Sequence, residues 1–314
     1  MKVSVIIPCF NAENHIEECL SSVMLQNHSD VEIICVNDGS TDNTKSIIQK
    51  KIDNSRFPIQ LINQENHGAQ YSRNVGLKAA AGEYFQFLDA DDLLLEDKIS
   101  NQIRLAESQQ NPSIIAGSHV REDIEGVELS HKILSQSDTI NVWELLMQTK
   151  LGITSANLFH AEPFKNGVLW DVNLKHSQEY QLMFNILKFN SSVAFDHQPN
   201  TIRRVGNSKT ISLTKEMDKW LAYVQLRIDI VQFLQKHKPE IMNVNFRQML
   251  FDAIRMYYPH NPKHAVDIYQ QSFPKFFLPM PSQVTSKGYI QLFRILGFKK
   301  TEKFKGLLGK ILGR

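Results

Sequence analysis

Three carboxylates fall within four residues at Phe87-Leu88-Asp89-Ala90-Asp91-Asp92, directly after an apolar, strand-like run over 83–88. Charge of one sign gathered at the end of a buried strand is unfavourable unless something of opposite sign compensates it. Two carboxylates one residue apart suit a hard divalent cation with oxygen ligands. Mg2+ or Mn2+ would keep coordination positions open for the phosphates of a substrate. Asp89 and Asp91 are therefore the candidate metal ligands. The competing reading of the cluster is a solvated turn that caps the next helix.

The elements around this turn must position it. Residues 3–7 read as a buried strand, followed by Ile16, Leu20, Val23 and Met24 at helical spacing. A second strand, 31–36, runs into the turn Asn37-Asp38-Gly39-Ser40-Thr41-Asp42 and a helix carrying Ile47, Ile48 and Ile52. Ser40, Thr41 and Asp42 are candidate caps or first-turn residues there. A short strand at 59–62 and a loop at Asn66-His67-Gly68 precede a helix ending near Ala80, and another helix is expected over 96–109. This alternation predicts an α/β fold with a mostly parallel sheet covered by helices. Ligands in such sheets sit beyond the carboxyl ends of the strands. Phe10, Asp38 and Asp89 each lie just past a predicted strand, so they should gather along one edge. Taken singly, Phe10 could be core and Asp38 a turn acid.

Composition narrows the class. The 314 residues are 42% hydrophobic and 22% charged with a net charge of +2, ordinary for a globular protein of one large domain and an accessory one. Near-neutral charge gives no bulk affinity for nucleic acid. Cys9, Cys19 and Cys35 are odd in number without CxxC spacing, which fits a reducing cytoplasm better than a disulfide framework. No charged leader precedes an apolar run at the N-terminus, and no run is long enough to span a bilayer.

Four segments, in order, resemble the family 2 glycosyltransferases, whose nucleotide-binding domain is the GT-A fold. Pro8-Cys9-Phe10-Asn11-Ala12-Glu13 is similar to the family's opening Pro-x-Tyr-Asn-x-x motif. Val36-Asn37-Asp38-Gly39-Ser40-Thr41-Asp42 resembles Val-Asp-Asp-Gly-Ser-Thr-Asp, and 68–76 resembles Gly-x-x-x-Ala-Arg-Asn-x-Gly. Residues 82–92 match the stretch leading into the DxD motif nearly residue for residue. The resemblance covers about 1–212. It implies a GT-A domain over 1–212, with a donor half at 1–110 and an acceptor half at 111–212, and a helical region at 213–314. It implies donor contacts at Pro8, Phe10, Asn11, Glu13, Asp38, Gly68, Arg73, Asp89, Ala90 and Asp91. Phe10 would stack on the base and Asp38 would accept from the base edge, which suits uracil. Asp89 and Asp91 would meet the ribose and the metal, and Arg73 a phosphate. Glu179 falls at the position of the family's catalytic base, with Gln178 in place of an adjoining acid and Asp171 or His176 as alternatives. Arg203-Arg204-Val205-Gly206-Asn207-Ser208 resembles a Tyr-Arg-x-His-x-x-Ser element, with Val205 where the histidine would be.

The resemblance thus implies a metal-dependent, inverting transfer of a sugar from a nucleotide diphosphate, with UDP the expected nucleotide, to a saccharide or lipid-linked saccharide in surface-polysaccharide synthesis. A non-catalytic nucleotide-sugar binding module is the alternative. A nicotinamide dehydrogenase would require G-x-G-x-x-G after the first strand, where Pro8-Cys9-Phe10-Asn11 stands instead. A sugar nucleotidyltransferase would need a glycine-rich, arginine-bearing loop there, which is absent. Past residue 212 the pattern is helical, through Trp220, Val224, Ile228, Val231 and Leu234, then Met249, Ala253 and Met256. The tail sets Lys287, Arg294, Lys299, Lys300, Lys303, Lys305, Lys310 and Arg314 against one acid, Glu302, with Phe304, Leu307, Leu308, Ile311 and Leu312 on one helical face. Such a helix suits peripheral contact with an anionic membrane, here the inner face of the plasma membrane. Docking on its own protein or on a second subunit is the other reading.

Overall fold

The computed structural model describes residues 1–123, 125–134, 141–205 and 216–311, with side chains described as far as 308. The chain divides into two compact units, Met1–Ser208 and Lys209–Arg314.

In the first unit, β1 (Val3–Cys9), β2 (Val31–Asp38), β3 (Ile59–Gln64) and β4 (Tyr84–Phe87) pair in parallel, with β1 and β2 central among them. The helices α1 (Ile16–Met24), α2 (Thr44–Ile52) and α3 (Ala69–Ala79) make the crossovers. Unbroken apolar runs such as Val3–Cys9 are what a strand covered on both faces requires. The spacing of Ile16, Cys19, Leu20 and Val23 places all four on the buried stripe of α1. Gly76 lets α3 lie close against β1, since a Cβ there would stand 2.4 Å from Cγ2 of Ile6.

The sheet is completed by β6 (Ile114–Gly117), β9 (Leu158–His160) and β10 (Val193–Asp196), giving the order β10-β6-β9-β4-β1-β2-β3. Of these only β9 runs antiparallel to its neighbours. Helices α4 (Lys98–Ser108), α5 (Val142–Met147), α6 (Ala161–Lys165) and α7 (Gln178–Phe189) fill the remaining connections. A second sheet was not foreseen from the sequence. It joins β5 (Leu93–Leu94), β7 (His119–Asp123), β8 (Glu128–Lys132) and β11 (Thr201–Val205) in the order β5-β11-β7-β8. Its strands are short and rich in charge, so they lack the alternation that announces a half-buried strand. The three cysteines are free and buried.

In the second unit, α8 (Glu216–His237), α9 (Val244–Tyr257), α10 (Pro262–Ser272) and α11 (Lys287–Ile311) surround an aromatic core. Rings of Tyr269, Phe273, Phe277, Tyr289, Phe293 and Phe298 lie 5.4 to 6.2 Å from that of Phe251. Arg255 donates to Glu302 at 2.6 Å with both side chains buried. The tail is therefore not one uniform amphipathic helix. Glu302, the one acid set against the tail's basic residues, belongs to the core. Gly297 breaks the helical path with φ of 70°, while Phe304, Leu307 and Leu308 beyond it are exposed. Leu312 and Arg314, with the side chains of Lys310 and Ile311, lie outside the described residues. Among the described residues no helix is long and apolar enough to cross a membrane.

Candidate active site

The ends of β1, β2 and β4 are neighbours, because Cys9 pairs with Asn37 and Ile6 with Phe87. Phe10, Asp38 and Asp89 thus share one sheet edge. Pro8 sits inside β1 opposite Val36. Phe10 is 51% exposed, so its ring is not core. The loops after β1 and β2 are laced together. Asn11 takes a left-handed φ of 47°, its amide donates to Ser40 Oγ, and its Oδ1 accepts from Thr41 N at 2.9 Å. Ala12 N donates to Thr44 Oγ1 at 2.8 Å and Glu13 N to Asp42 Oδ2 at 3.0 Å. Glu13 Oε2 accepts from both nitrogens of Asn43. The Asn11 and Glu13 side chains, assigned to donor binding by resemblance, are here loop braces. So are Ser40 and Asp42, which tie α2 to the neighbouring loop as well as shaping its first turn.

Asp38, expected to accept from the base edge, is held against the 64–68 loop. It is 2% exposed. Its Oδ1 accepts from Gln64 Nε2 at 2.7 Å and His67 N at 2.9 Å, and its Oδ2 from Gly68 N at 2.8 Å. The carboxylate therefore shapes the 64–68 loop. Gly68 enters α3 with φ of 91°, in the left-handed region glycine favours.

At the acidic turn, Arg73 of α3 is buried and its Nη2 lies 2.5 Å from Asp89 Oδ1. The guanidinium also stacks 4.6 Å from the centroid of the Trp170 ring. Asn74 exchanges two hydrogen bonds with the Trp170 backbone, holding that ring in place. Arg73 is thus a buried positioning residue for Asp89. Asp89 N donates to Ser155 Oγ at 3.2 Å. Beneath the turn, Gln86 donates to Ser155 O at 2.8 Å and accepts from the fully buried Lys98. Burial brings the Lys98 ammonium down to about 7, opposed by the charge of Asp196. Asp92 departs from its two partners. It is buried and accepts from Arg204 N at 3.0 Å, fastening β11 to the turn.

Glu179 stands in the first turn of α7, after Ser177 with φ of 56°. Its Oε2 accepts from Thr154 N at 3.1 Å and Thr154 Oγ1 at 3.0 Å. Burial raises its pKa above the ordinary glutamate value. The Thr154 hydrogen bonds and the charge of Arg203 oppose the rise, and the charge of Asp89 adds to it. The helix base and the acidic turn are therefore close enough to feel one another. Gln178 donates to Leu174 O and has a structural part. Asp171 is turned into its own loop, accepting from Asn173 N.

The aspartate pair fits a divalent cation. Asp91 reaches solvent yet stands in a crowded turn, and burial and the Asp89 charge raise its pKa. Among the described residues no hydrogen-bond partner or ion pair meets the Asp91 side chain, and Arg73 takes one oxygen of Asp89. The charges of His15 and Arg203 offset the negative field at Asp91 only in part, since its pKa stays raised, and a hard metal would relieve the remainder. Among the described residues no group of three or more His, Cys, Asp or Glu forms a closed cage. A metal held by Asp89 and Asp91 would therefore complete its shell from phosphate and water. Ala90 bridges the two. Gly206, Asn207 and Ser208 of the arginine element lie outside the described residues. Ser155 and Thr154 were missed from the sequence, because a lone hydroxyl in a loop carries no spacing signal, and Asn74, inside the 68–76 motif, was given no role there.

Residues 4–171 match the family model described as Glycosyl transferase family 2. The chain is 30% identical over 205 residues to an uncharacterized glycosyltransferase of Haemophilus influenzae, covering 65% of this chain and 79% of that protein. It is 33% identical over 217 residues to an uncharacterized glycosyltransferase of Rickettsia typhi, covering 66% of this chain and 65% of that one. Among solved structures, TarS 1–349 of S. aureus in complex with UDP-GlcNAc superposes with a TM-score of 0.71 at 16% identity, covering 100% of this chain and 93% of that chain. The mannosyltransferase PcManGT of Pyrobaculum calidifontis with GDP-Man and Mn2+ gives 0.55 at 16% identity, covering 98% and 87%. These two likenesses concern the fold, and they agree with the mostly parallel sheet and the helical C-terminal region. Since the matched segment runs through more than half of the sequence and contains the acidic turn, the chain belongs to glycosyltransferase family 2 and folds as a GT-A enzyme.

Proposed function

We propose that this chain transfers a sugar, with inversion, from a nucleotide diphosphate to the hydroxyl of a saccharide or lipid-linked saccharide in bacterial surface-polysaccharide synthesis. The observation that carries the reading is the shared field of Asp89, Asp91, Arg203 and Glu179. A carboxylate pair that suits a cation stands near a glutamate whose pKa burial raises, the direction of tuning that favours a general base.

Glu179 takes the proton of the acceptor hydroxyl. The freed oxygen attacks the anomeric carbon, and the bond from that carbon to the diphosphate breaks on the opposite face, its electron pair leaving with the nucleotide. Thr154 holds the carboxylate in place. Arg73 fixes Asp89 through its guanidinium. Phe10 offers an exposed ring for the base. Asp38 reaches the base edge once the 64–68 loop yields one of its donors. Bound Mg2+ or Mn2+ would neutralise the charge developing on the leaving diphosphate. UDP as the carrier rests on the Phe10 and Asp38 resemblance and on the UDP-GlcNAc complex of TarS. The basic end of α11, with Phe304, Leu307 and Leu308 exposed, would keep the enzyme on the anionic inner membrane face where lipid-linked acceptors reside.

Calorimetry with UDP, with and without Mn2+, tests the reading. Binding should require the metal and be lost in Asp91→Ala. Metal-independent binding that the substitution leaves unaltered would refute it.

A further inference from the structure

The second sheet carries a face from which only the charge of Arg203 has entered the transfer reading. Register sets Arg203 beside Arg121, Arg121 beside Ser130, and His119 beside Lys132. Cross-strand neighbours and alternate residues along a strand point to the same side. Thr201, Arg203, His119, Arg121, Ser130 and Lys132 therefore share one face. Among the described residues no carboxylate pairs with Arg121, Arg203 or Lys132, whereas Arg204 on the opposite face has Glu18 at 2.7 Å. Burial and then the charges of Arg203, Arg121 and Lys132 push the His119 imidazole down to about 4, so it is neutral near pH 7. Among the described residues, four buried polar atoms here have no hydrogen-bond partner: Thr201 Oγ1, His119 Nδ1, Arg121 Nε and Ser130 Oγ.

Like charges side by side and orphaned buried polar groups are both unfavourable. A compact polyoxygen anion offsets both, since its oxygens accept from guanidinium, imidazole and hydroxyl together. Arg204 N of β11 donates to Asp92 of the acidic turn at 3.0 Å, so this sheet borders the proposed site. We propose that Arg121, Arg203, His119 and Ser130 form a phosphate-binding subsite at the margin of the catalytic centre. The proposal deepens the transferase reading and rests on it for the source of the phosphate, either the donor diphosphate or a phosphate carried by the acceptor.

Inorganic phosphate is the probe, titrated into the full chain by calorimetry and followed by thermal melting. Wild type should bind phosphate and melt higher in its presence. Arg121→Gln should weaken binding about tenfold without melting lower in phosphate-free buffer, because it removes a like-charge neighbour. Should that variant misfold, Arg203→Gln at the exposed position must weaken phosphate binding instead. Metal-dependent UDP binding then identifies the source. Parallel loss in Arg121→Gln assigns the subsite to the donor diphosphate, and unchanged UDP binding assigns it to the acceptor. Equal phosphate affinity in wild type and variants, or no binding by wild type at tens of millimolar, would overturn the subsite. UDP-sugar hydrolysis on the same preparations separates the two ideas. Phosphate binding without any turnover defeats the transferase reading alone, and turnover without phosphate binding defeats the subsite alone.

Discussion

Glu179 shows how one residue can be costly to the fold and useful to the chemistry. Its pKa in the folded chain lies above the unfolded value, chiefly through burial. A group shifted upward contributes its stability below the unfolded pKa and loses it as pH rises through the folded pKa. At pH 7 the ionised carboxylate is thus a liability. Glu179→Gln should melt higher than wild type at pH 7, and the difference should vanish as pH falls below about 4. The same substitution removes the base, so turnover should fall by about 10²–10⁴ while calorimetric UDP binding persists. Near-normal turnover would place the base elsewhere. Thr154 refines the point, because its hydroxyl bonds to the charged form and holds the pKa down. Thr154→Val should move the acidic limb of the kcat profile to higher pH, and a shift to lower pH would contradict the geometry.

The elements bring these residues together, and their legibility in the sequence was uneven for physical reasons. The parallel half was readable because β1, β2 and the crossover helices bury continuous or periodic apolar runs. The second sheet was not, since residues such as Arg121, Glu122 and Arg203 hide a strand among charges. The site followed the same division. Asp89 and Asp91 stood out by type and position, and Glu179 by the family resemblance. The conversion of Asn11 and Glu13 into braces, of Asp38 into a loop organiser and of Arg73 into a buried support depends on contacts between elements distant in sequence. Gly76 gives a test at this scale. A methyl group there would meet the Ile6 side chain at 2.4 Å, so α3 would have to move off β1. Gly76→Ala should lower stability by about 1–3 kcal/mol, seen as a lower urea midpoint with an unchanged slope, despite the higher helix propensity of alanine. Since α3 carries Arg73, metal-dependent UDP binding should weaken in the same variant.

The molecule as a whole combines this catalytic unit with a helical unit whose last helix changes character along its length. Up to Glu302, one face of α11 is core. Tyr289, Phe293 and Phe298 join the Phe251 cluster, and Glu302 compensates the buried Arg255. Removing one partner of a buried pair leaves an uncompensated charge and costs about 3–5 kcal/mol, so truncation before this helix would unfold the unit rather than test the tail. After Glu302 the surface changes character. Lys303 and Lys305 are exposed beside Phe304, Leu307 and Leu308, with no acid among the described residues to neutralise them. The clean experiment therefore changes only Leu307 and Leu308 to aspartate. Wild type should partition onto vesicles containing anionic lipid and leave neutral ones, with the bound fraction falling as salt rises, since each basic residue near such a surface contributes about 1 kcal/mol that salt screens. The double variant should lose vesicle binding while its melting temperature and its metal-dependent UDP binding stay those of wild type. Unchanged partitioning would instead leave the exposed apolar face to contact with protein, and a concentration-dependent change in sedimentation on making the same substitutions would identify that contact as one between copies of this chain.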